Sequence, residues 1–331
     1  MEKVLITGCA GYIGSVLTTL LLENGYSVRG LDNLQFGGES LLGIYNNLNF
    51  EFIHGDIRDG DRLNNSLKNI EHVIHLAAIV GDPACAADPE KAKAVNWEAS
   101  LNLLKLARDH DISRFVFAST CSNYGKMELK QDTSSKNSEY VNEASPLKPV
   151  SLYAKLKVEF EKHLLQAKTN NKLTPVSLRF ATIYGLSPRP RFDLTINDFT
   201  RQLQAGKELV IYGEQFWRPY CHVYDIARAI KMILQAPTQK VDHQVFGVGS
   251  TKENYRKKMI VDELLKFFPD ANIKYVKKEE DPRDYRVDFS KIKNKLGFEI
   301  TRTVPDGIRE IKNALDQGVI PEPYSKNYQN V

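Results

Sequence analysis

The chain has 331 residues, 42% of them hydrophobic, which is enough for one large core or two smaller ones and sets an expectation of one to two domains. A net charge of +4 without a long basic tract argues against a nucleic-acid partner and suits an anionic small molecule. Four cysteines (Cys9, Cys85, Cys121 and Cys221) lie far apart and form no C-x-x-C pair, so neither a metal site nor a disulfide framework is expected.

Residues 3–7 are a short apolar run, read as a buried parallel strand. Gly8-Cys-Ala-Gly11-Tyr-Ile-Gly14 follows and opens a helix through Leu17, Leu20 and Leu21 that ends at Asn24-Gly25. Residues 27–31 form a second strand with Asp32 at its tip. A glycine-rich strand-to-helix turn offers backbone N–H groups and a helix N-terminus to a pyrophosphate. A carboxylate about twenty positions on can hold two ribose hydroxyls and repels a 2′-phosphate. Strand, turn, helix, strand and terminal carboxylate in that order therefore predict a dinucleotide site. The glycine spacing is G-x-x-G-x-x-G, not G-x-G-x-x-G.

The alternation continues. A strand at 50–53 ends in His54-Gly55-Asp56-Ile57, and a helix is expected near 61–67. A strand at 72–76 opens into Ala77-Ala78, followed by a long helix over 89–110 with Asn96 inside it. His72 and His75 lie three apart in a strand, which points them to opposite faces and away from a shared metal. A strand at 114–118 carries Ser119-Thr-Cys-Ser-Asn-Tyr-Gly125 at its carboxyl end, the edge where ligands gather in an open parallel sheet. The polar segment 126–145 shows no period and reads as a loop.

Pro149-Val-Ser-Leu-Tyr153-Ala-Lys-Leu-Lys157 then opens an amphipathic helix, and a strand follows at 175–179. Tyr153 and Lys157, four apart, share one helix face. An ammonium beside a phenol favours the phenolate, which makes Tyr153 a candidate general base. The βαβα order predicts a doubly wound parallel Rossmann sheet over residues 1–185, with a segment near 220–250 returning to it. Residues 186–331 are expected to form a smaller, discontinuous α/β substrate domain. The pieces predicted beyond 185 are helices near 193–203, 223–235, 255–268 and 304–317 and strands at 208–212 and 273–276, with a strand at 244–248 that can return to the main sheet. The run Arg256-Lys257-Lys258 reads as a solvated helix face. No signal peptide and no membrane-length apolar run is evident, so a soluble, cytoplasmic protein without a membrane partner is expected.

Together, Gly8-x-x-Gly11-x-x-Gly14, Asp32, Ser119-Thr120 and Tyr153-x-x-x-Lys157 resemble the extended short-chain dehydrogenase/reductases, in their NAD-dependent nucleotide-sugar epimerase/dehydratase branch. Glu143-x-x-Pro146-x-x-Pro149, Arg179-x-x-x-x-Tyr184-Gly185 and Arg218-x-x-x-His222-Val-x-Asp225 are similar to the same pattern, so the resemblance covers nearly the whole chain. It implies that Tyr153 takes a proton from a sugar hydroxyl, usually at C4, while hydride leaves that carbon for NAD. Lys157 would bind the nicotinamide ribose and lower the tyrosine pKa, and Thr120 would hydrogen-bond the same sugar oxygen. Further NAD contacts are implied for Gly8, Gly11, Tyr12, Ile13, Gly14, Asp32, Asn33, Asp56, Ile57, Leu76, Ala77, Ala78, Asn96, Ser119 and Phe180. Arg218 and Arg283 would clamp the diphosphate of a nucleotide-sugar substrate, with Ser122, Thr182 and Arg191 nearby.

Departures narrow the subtype. The 4,6-dehydratases carry Asp-Glu directly after the threonine; Cys121-Ser122 stand there and are unsuited to removing water. The fucose-synthase-like epimerase/reductases need a cysteine where Ser122 stands and a histidine that 186–197 lacks. The galactose 4-epimerases have Asn at the place of Thr182 and Asn-Leu-x-Pro where Leu194-Thr-Ile-Asn197 aligns. Ser187-Pro-Arg-Pro-Arg191-Phe-Asp193 and Asp284-Tyr285 are similar to other members, including nucleotide-heptose dehydrogenases. An epimerase, or a 4-dehydrogenase or ketoreductase sharing its first half-reaction, is the expectation; a non-catalytic NAD sensor is the remote alternative. A homodimer is expected through the helices at 89–110 and 151–167, with Leu101, Leu104, Phe160 and Leu164 as the seam.

Overall fold

The computed structural model describes residues 1–127, 140–167, 172–281 and 283–330. Six strands follow the expected alternation: β1 (Lys3–Thr7), β2 (Ser27–Asp32), β3 (Phe50–His54), β4 (His72–His75), β5 (Arg114–Thr120) and β6 (Thr174–Phe180). The helices between them are α1 (Tyr12–Glu23), α2 (Gly60–Ser66), α3 (Asp82–Ala87), α4 (Pro89–Lys93), α5 (Ser100–Asp109) and α6 (Leu152–Gln166). The expected single helix over 89–110 is α4 and α5 joined by a π-helical turn at Ala94–Ala99. The short helix α3, begun by Pro83, was not expected. Most of the loop expected over 126–145 lies outside the described residues.

Beyond β6 come β7 (Thr182–Tyr184), α7 (Thr195–Gln204), β8 (Leu209–Tyr212), β9 (Trp217–His222), α8 (Val223–Gln235), α9 (Thr238–Val241) and β10 (Gln244–Val248). The chain ends through β11 (Asn254–Arg256), α10 (Lys257–Leu265), β12 (Ile273–Val276), α11 (Ser290–Leu296) and α12 (Val304–Asp316). The main sheet has seven parallel strands in the order β10-β6-β5-β4-β1-β2-β3. The order reverses between β1 and β4, and the crevice at that reversal is where such sheets hold ligands.

Period-two alternation sends the strand residues to two cores, one on each face. Val4, Ile6, Val28 and Val116 face α1 and α8, while Leu5, Leu31, Val73, Phe115 and Phe117 pack against α5 and α6. The returning segment begins at α8, which lies against α1, and continues into β10 beside β6. A third core, including Tyr184, Ile196, Leu209, Tyr220, Ile260 and Ile308, belongs to the smaller α/β unit. There β7, β9 and β11 form one small sheet and β8 and β12 another. β7 falls before the expected boundary at 185 yet pairs with β9.

The expected dimer seam needs correction. Leu104 is 1% exposed and Phe160 and Leu164 are 0% exposed, because all three fill the core between the sheet and its covering helices. Of the four residues only Leu101 keeps an outward, half-buried surface.

Candidate active site

The glycine turn is shaped by backbone crowding. Gly8 has φ +80°, and a Cβ there would lie 2.8 Å from the amide nitrogen of Ala77. A Cβ on Gly14 would come within 2.0 Å of the Gly8 carbonyl oxygen. Gly11 is the N-cap of α1 and offers no side chain to cap it, and no acidic residue sits in the first turn. The first N–H groups of α1 are thus left for an anion.

Asp32 closes this half of the cleft. One carboxylate oxygen accepts from Ala10 N at 3.0 Å and the other from Leu34 N at 2.9 Å. Burial pushes its pKa up, and those two hydrogen bonds pull it back. The carboxylate is held by backbone, and each oxygen keeps a lone pair for a hydroxyl donor. Asn33 donates to Asp56 at 3.0 Å; the Asp56 carboxyl is held down at about 2, chiefly by hydrogen bonds from Arg58.

A cavity of about 540 Å³ runs along the carboxyl edge of the sheet. Its walls include Gly8, Gly11, Tyr12, Ile13, Gly14, Asp32, Asn33, Asp56, Ile57, Leu76, Ala77, Ala78, Ser119, Thr120, Ser122, Tyr153, Lys157, Phe180, Thr182, Arg191, Arg218 and Arg283. Every site residue expected from sequence except Asn96 therefore lines one cleft. Asn96 stands behind the wall. Its Oδ1 accepts from Ile79 N at 2.8 Å and its Nδ2 donates to Ile79 O at 2.9 Å, so the π-turn pins the loop after Ala78.

Tyr153 and Lys157 come from the first turns of α6, which Ser151 caps by accepting from Ala154 N. Lys157 is buried and donates to Ala118 O at 2.7 Å; its Nζ is 6.0 Å from the centre of the Tyr153 ring. Burial lowers its pKa to about 8. The phenol of Tyr153 moves the other way. Burial first, then Cys85 and Asp82, raise its pKa, while Arg191 pulls it down. In this geometry burial is the largest influence on the phenol, and the ammonium hydrogen-bonds Ala118 O. Thr120, at the tip of β5, accepts from Ser122 N at 3.1 Å. Cys121 turns away and donates to Arg179 O at 3.3 Å, so no acid–base pair follows the threonine.

The far half of the cleft is walled by cations that already hold carboxylates. Arg191 pairs with Asp193 at 3.0 and 2.5 Å. Arg218 pairs with Asp281 at 2.7 Å, donates to the carbonyls of Trp217 and Arg283, and lies over the Tyr285 ring. Arg283, 41% exposed on its side chain, reaches Asp82 at 3.1 Å. Sequence reading missed Arg189, Tyr220, Asp281, Tyr285 and Lys257 as wall residues. Lys257 corrects the expectation of a solvated 256–258 face: it donates to Tyr212 O at 2.7 Å from the cleft wall.

Several family-like motif residues brace the site without lining it. Arg179 ties β6 to α6 through Glu161 at 2.6 Å. Glu143 accepts from Gly247 N, and His222 meets Glu310 at 2.6 Å. Asp225 accepts from the amides of Thr301 and Arg302. Asn197 holds Gly185 and the Arg191 carbonyl, which sets the loop between the two halves.

The comparisons agree with this geometry. A family model for the NAD dependent epimerase/dehydratase family matches residues 4–249. A putative UDP-glucose 4-epimerase of Methanocaldococcus jannaschii is 29% identical, covering 94% of this chain and 97% of its own. The solved UDP-glucose 4-epimerase of Thermotoga maritima, with UDP-glucose, superposes with a TM-score of 0.83 at 26% identity, covering 96% of this chain and 100% of its own. The UDP-glucuronic acid 4-epimerase of Bacillus cereus, in complex with UDP-glucuronic acid and NAD, gives 0.82 at 26% identity over 96% and 99%. The crowded glycine turn, the uncapped helix start and the backbone-held Asp32 fit NAD, and the chain belongs to the NAD-dependent epimerase/dehydratase family, as an enzyme with NAD as its cofactor.

Proposed function

We propose that the chain is a nucleotide-sugar epimerase working through a transient 4-keto sugar. One observation supports this reading: Thr120, Tyr153 and Lys157 line the same cleft as the glycine turn, Asp32 and the cations Arg191, Arg218 and Arg283. NAD, when bound, supplies a hydride acceptor that can return the hydride within the same turnover. The chain's own groups do the rest. Tyr153 Oη takes the C4 hydroxyl proton and gives it back on the reverse step, and Thr120 Oγ1 orients that oxygen. Lys157, released from Ala118 O, places its charge between ribose and phenol and so favours the phenolate. Arg218 and Arg283 exchange Asp281 and Asp82 for the substrate diphosphate, for which the guanidinium fork is suited. Ser122, Thr182 and Arg191 border the sugar.

Relatives acting on UDP-glucose and UDP-glucuronate support the substrate class. Incubating the NAD-loaded chain with UDP-, GDP-, CDP- and dTDP-sugars while following absorbance at 340 nm tests the reading. An epimeric product without lasting NADH is the expected result. Stoichiometric NADH with a keto product would make the chain a 4-dehydrogenase. A homodimer and a cytoplasmic location belong to the same reading; no helix among the described residues is long and apolar enough to cross a membrane. Sedimentation at micromolar concentration tests the dimer.

A further inference from the structure

Arg189 has no role in the reading above, yet it is a charged residue only 5% exposed on the wall of the cofactor cleft. Its partners are neutral. Nη1 donates to Asn330 Oδ1 at 2.7 Å, Nη2 donates to Gln329 O at 3.1 Å, and the Phe36 ring lies 4.2 Å beneath the guanidinium. Its Nε is buried without a partner. Among the described residues it forms no ion pair, whereas Arg191, Arg218 and Arg283 each hold a carboxylate. A buried cation left without an anion carries a desolvation cost that a bound anion would offset. Burial and the neighbouring Arg191 lower its pKa to about 10, against the pull of Asp193 and Asp32.

The position says which anion. Ser187, two residues earlier, meets Ser15 Oγ at 3.0 Å and donates to Tyr12 O at 2.7 Å, while the Tyr12 hydroxyl donates to Gly185 O at 2.6 Å. The 185–189 segment is thus laid across the first turn of α1, whose N–H groups face the cleft without a capping side chain. Asp32 is near enough to feel the charge of Arg189, but each of its oxygens is already tied to backbone. The anion expected between the glycine turn and the ribose-binding carboxylate is a pyrophosphate. The end of the chain holds the guanidinium in place: Phe192 N donates to Tyr328 O at 2.8 Å, and Asn330 itself lines the cleft.

We infer that Arg189 is a cofactor-binding residue that grips the pyrophosphate of NAD beside the glycine turn, and that the 328–330 segment is the strap positioning it. The inference rests on the cofactor and not on the proposed reaction, so it is tested by binding alone, without a sugar substrate. Full-length Arg189→Gln, Asn330→Ala and Asn330→Asp are titrated calorimetrically with ADP, adenosine and UDP. Arg189→Gln should lose on the order of 10- to 100-fold in ADP affinity, the range for charge-assisted hydrogen bonds. Adenosine and UDP should bind it within about twofold of the parent chain, which also shows the cleft intact. Asn330→Asp hands the guanidinium a carboxylate and should weaken ADP binding more than Asn330→Ala does. A purely structural strap predicts the reverse order for those two. Equal losses for all three ligands in Arg189→Gln, unchanged ADP affinity, or loss of UDP alone would overturn the inference.

Discussion

The two halves of the cleft are built by different means. On the cofactor side, the proposed Arg189 apart, the groups that face the cleft are backbone or backbone-held: the amides of the glycine turn, and an Asp32 carboxylate fixed by Ala10 N and Leu34 N. On the substrate side they are the long side chains of Arg191, Arg218, Lys257 and Arg283, each paired with another side chain or a carbonyl. Backbone sites are set when the sheet folds and need little rearrangement to bind. Side-chain pairs must exchange partners to bind, and in the proposed reading a substrate diphosphate would replace Asp281 and Asp82. The cofactor half is therefore expected to tolerate few changes, and the substrate half to set which sugar nucleotide is accepted.

Variants at the join and in each half sharpen this contrast. The largest effect is expected at the join: Tyr153→Phe should lower kcat by on the order of 10²–10⁴, the contribution of a positioned acid–base group, while NAD binding by calorimetry stays unchanged. Turnover within threefold of the parent chain would remove Tyr153 from the chemistry. In the substrate half, Arg218→Met should raise KM by on the order of 10- to 100-fold with NAD affinity retained. Arg283→Met, at a more exposed site, should raise it only about threefold. If Arg218→Met impairs NAD binding as much as substrate binding, the two halves are not separable.

In the cofactor half, Asp32→Ala should narrow the preference for NAD over NADP by about tenfold, the order expected from removing one like charge near a 2′-phosphate. Equal affinity of the parent chain for both dinucleotides would contradict the placement. The smallest effect is a pH dependence. Burial lowers the Lys157 pKa to about 8, so its charged form is complete below that value and is lost as pH rises through it. NAD affinity should fall several-fold between pH 7 and pH 9 on that account. Lys157→Met should bind weakly and show a flat profile; an equally sloped profile in that variant would assign the titration elsewhere.

Most of the fold was legible because its signals are local. The strands β1 to β6 are apolar runs, and Gly8, Gly11 and Gly14 with Asp32 sit within one βαβ unit. The strands β7, β9 and β11 were not legible. They are short, and Trp217-Arg-Pro-Tyr-Cys-His222 carries a proline and polar residues with no clean period. The site divided along the same line. The glycine turn and Asp32 follow from chain-local spacing, whereas Lys257 read as part of a basic surface run until the fold brought β8 beside it. The dimer seam failed because an amphipathic helix has one apolar stripe, and the sheet already covers the one that includes Leu104, Phe160 and Leu164. Spacing put Tyr153 and Lys157 on one face without saying which acceptor the ammonium takes. Here Ala118 O takes it.

The central claim is that hydride leaves and returns to the same carbon inside one cleft. A nucleotide sugar carrying deuterium at C4, incubated with the NAD-loaded chain, tests it most directly. The account predicts deuterium retained at C4 in both epimers by NMR, with no lasting absorbance at 340 nm. Deuterium accumulating in released reduced cofactor, alongside a free 4-keto sugar, would contradict it.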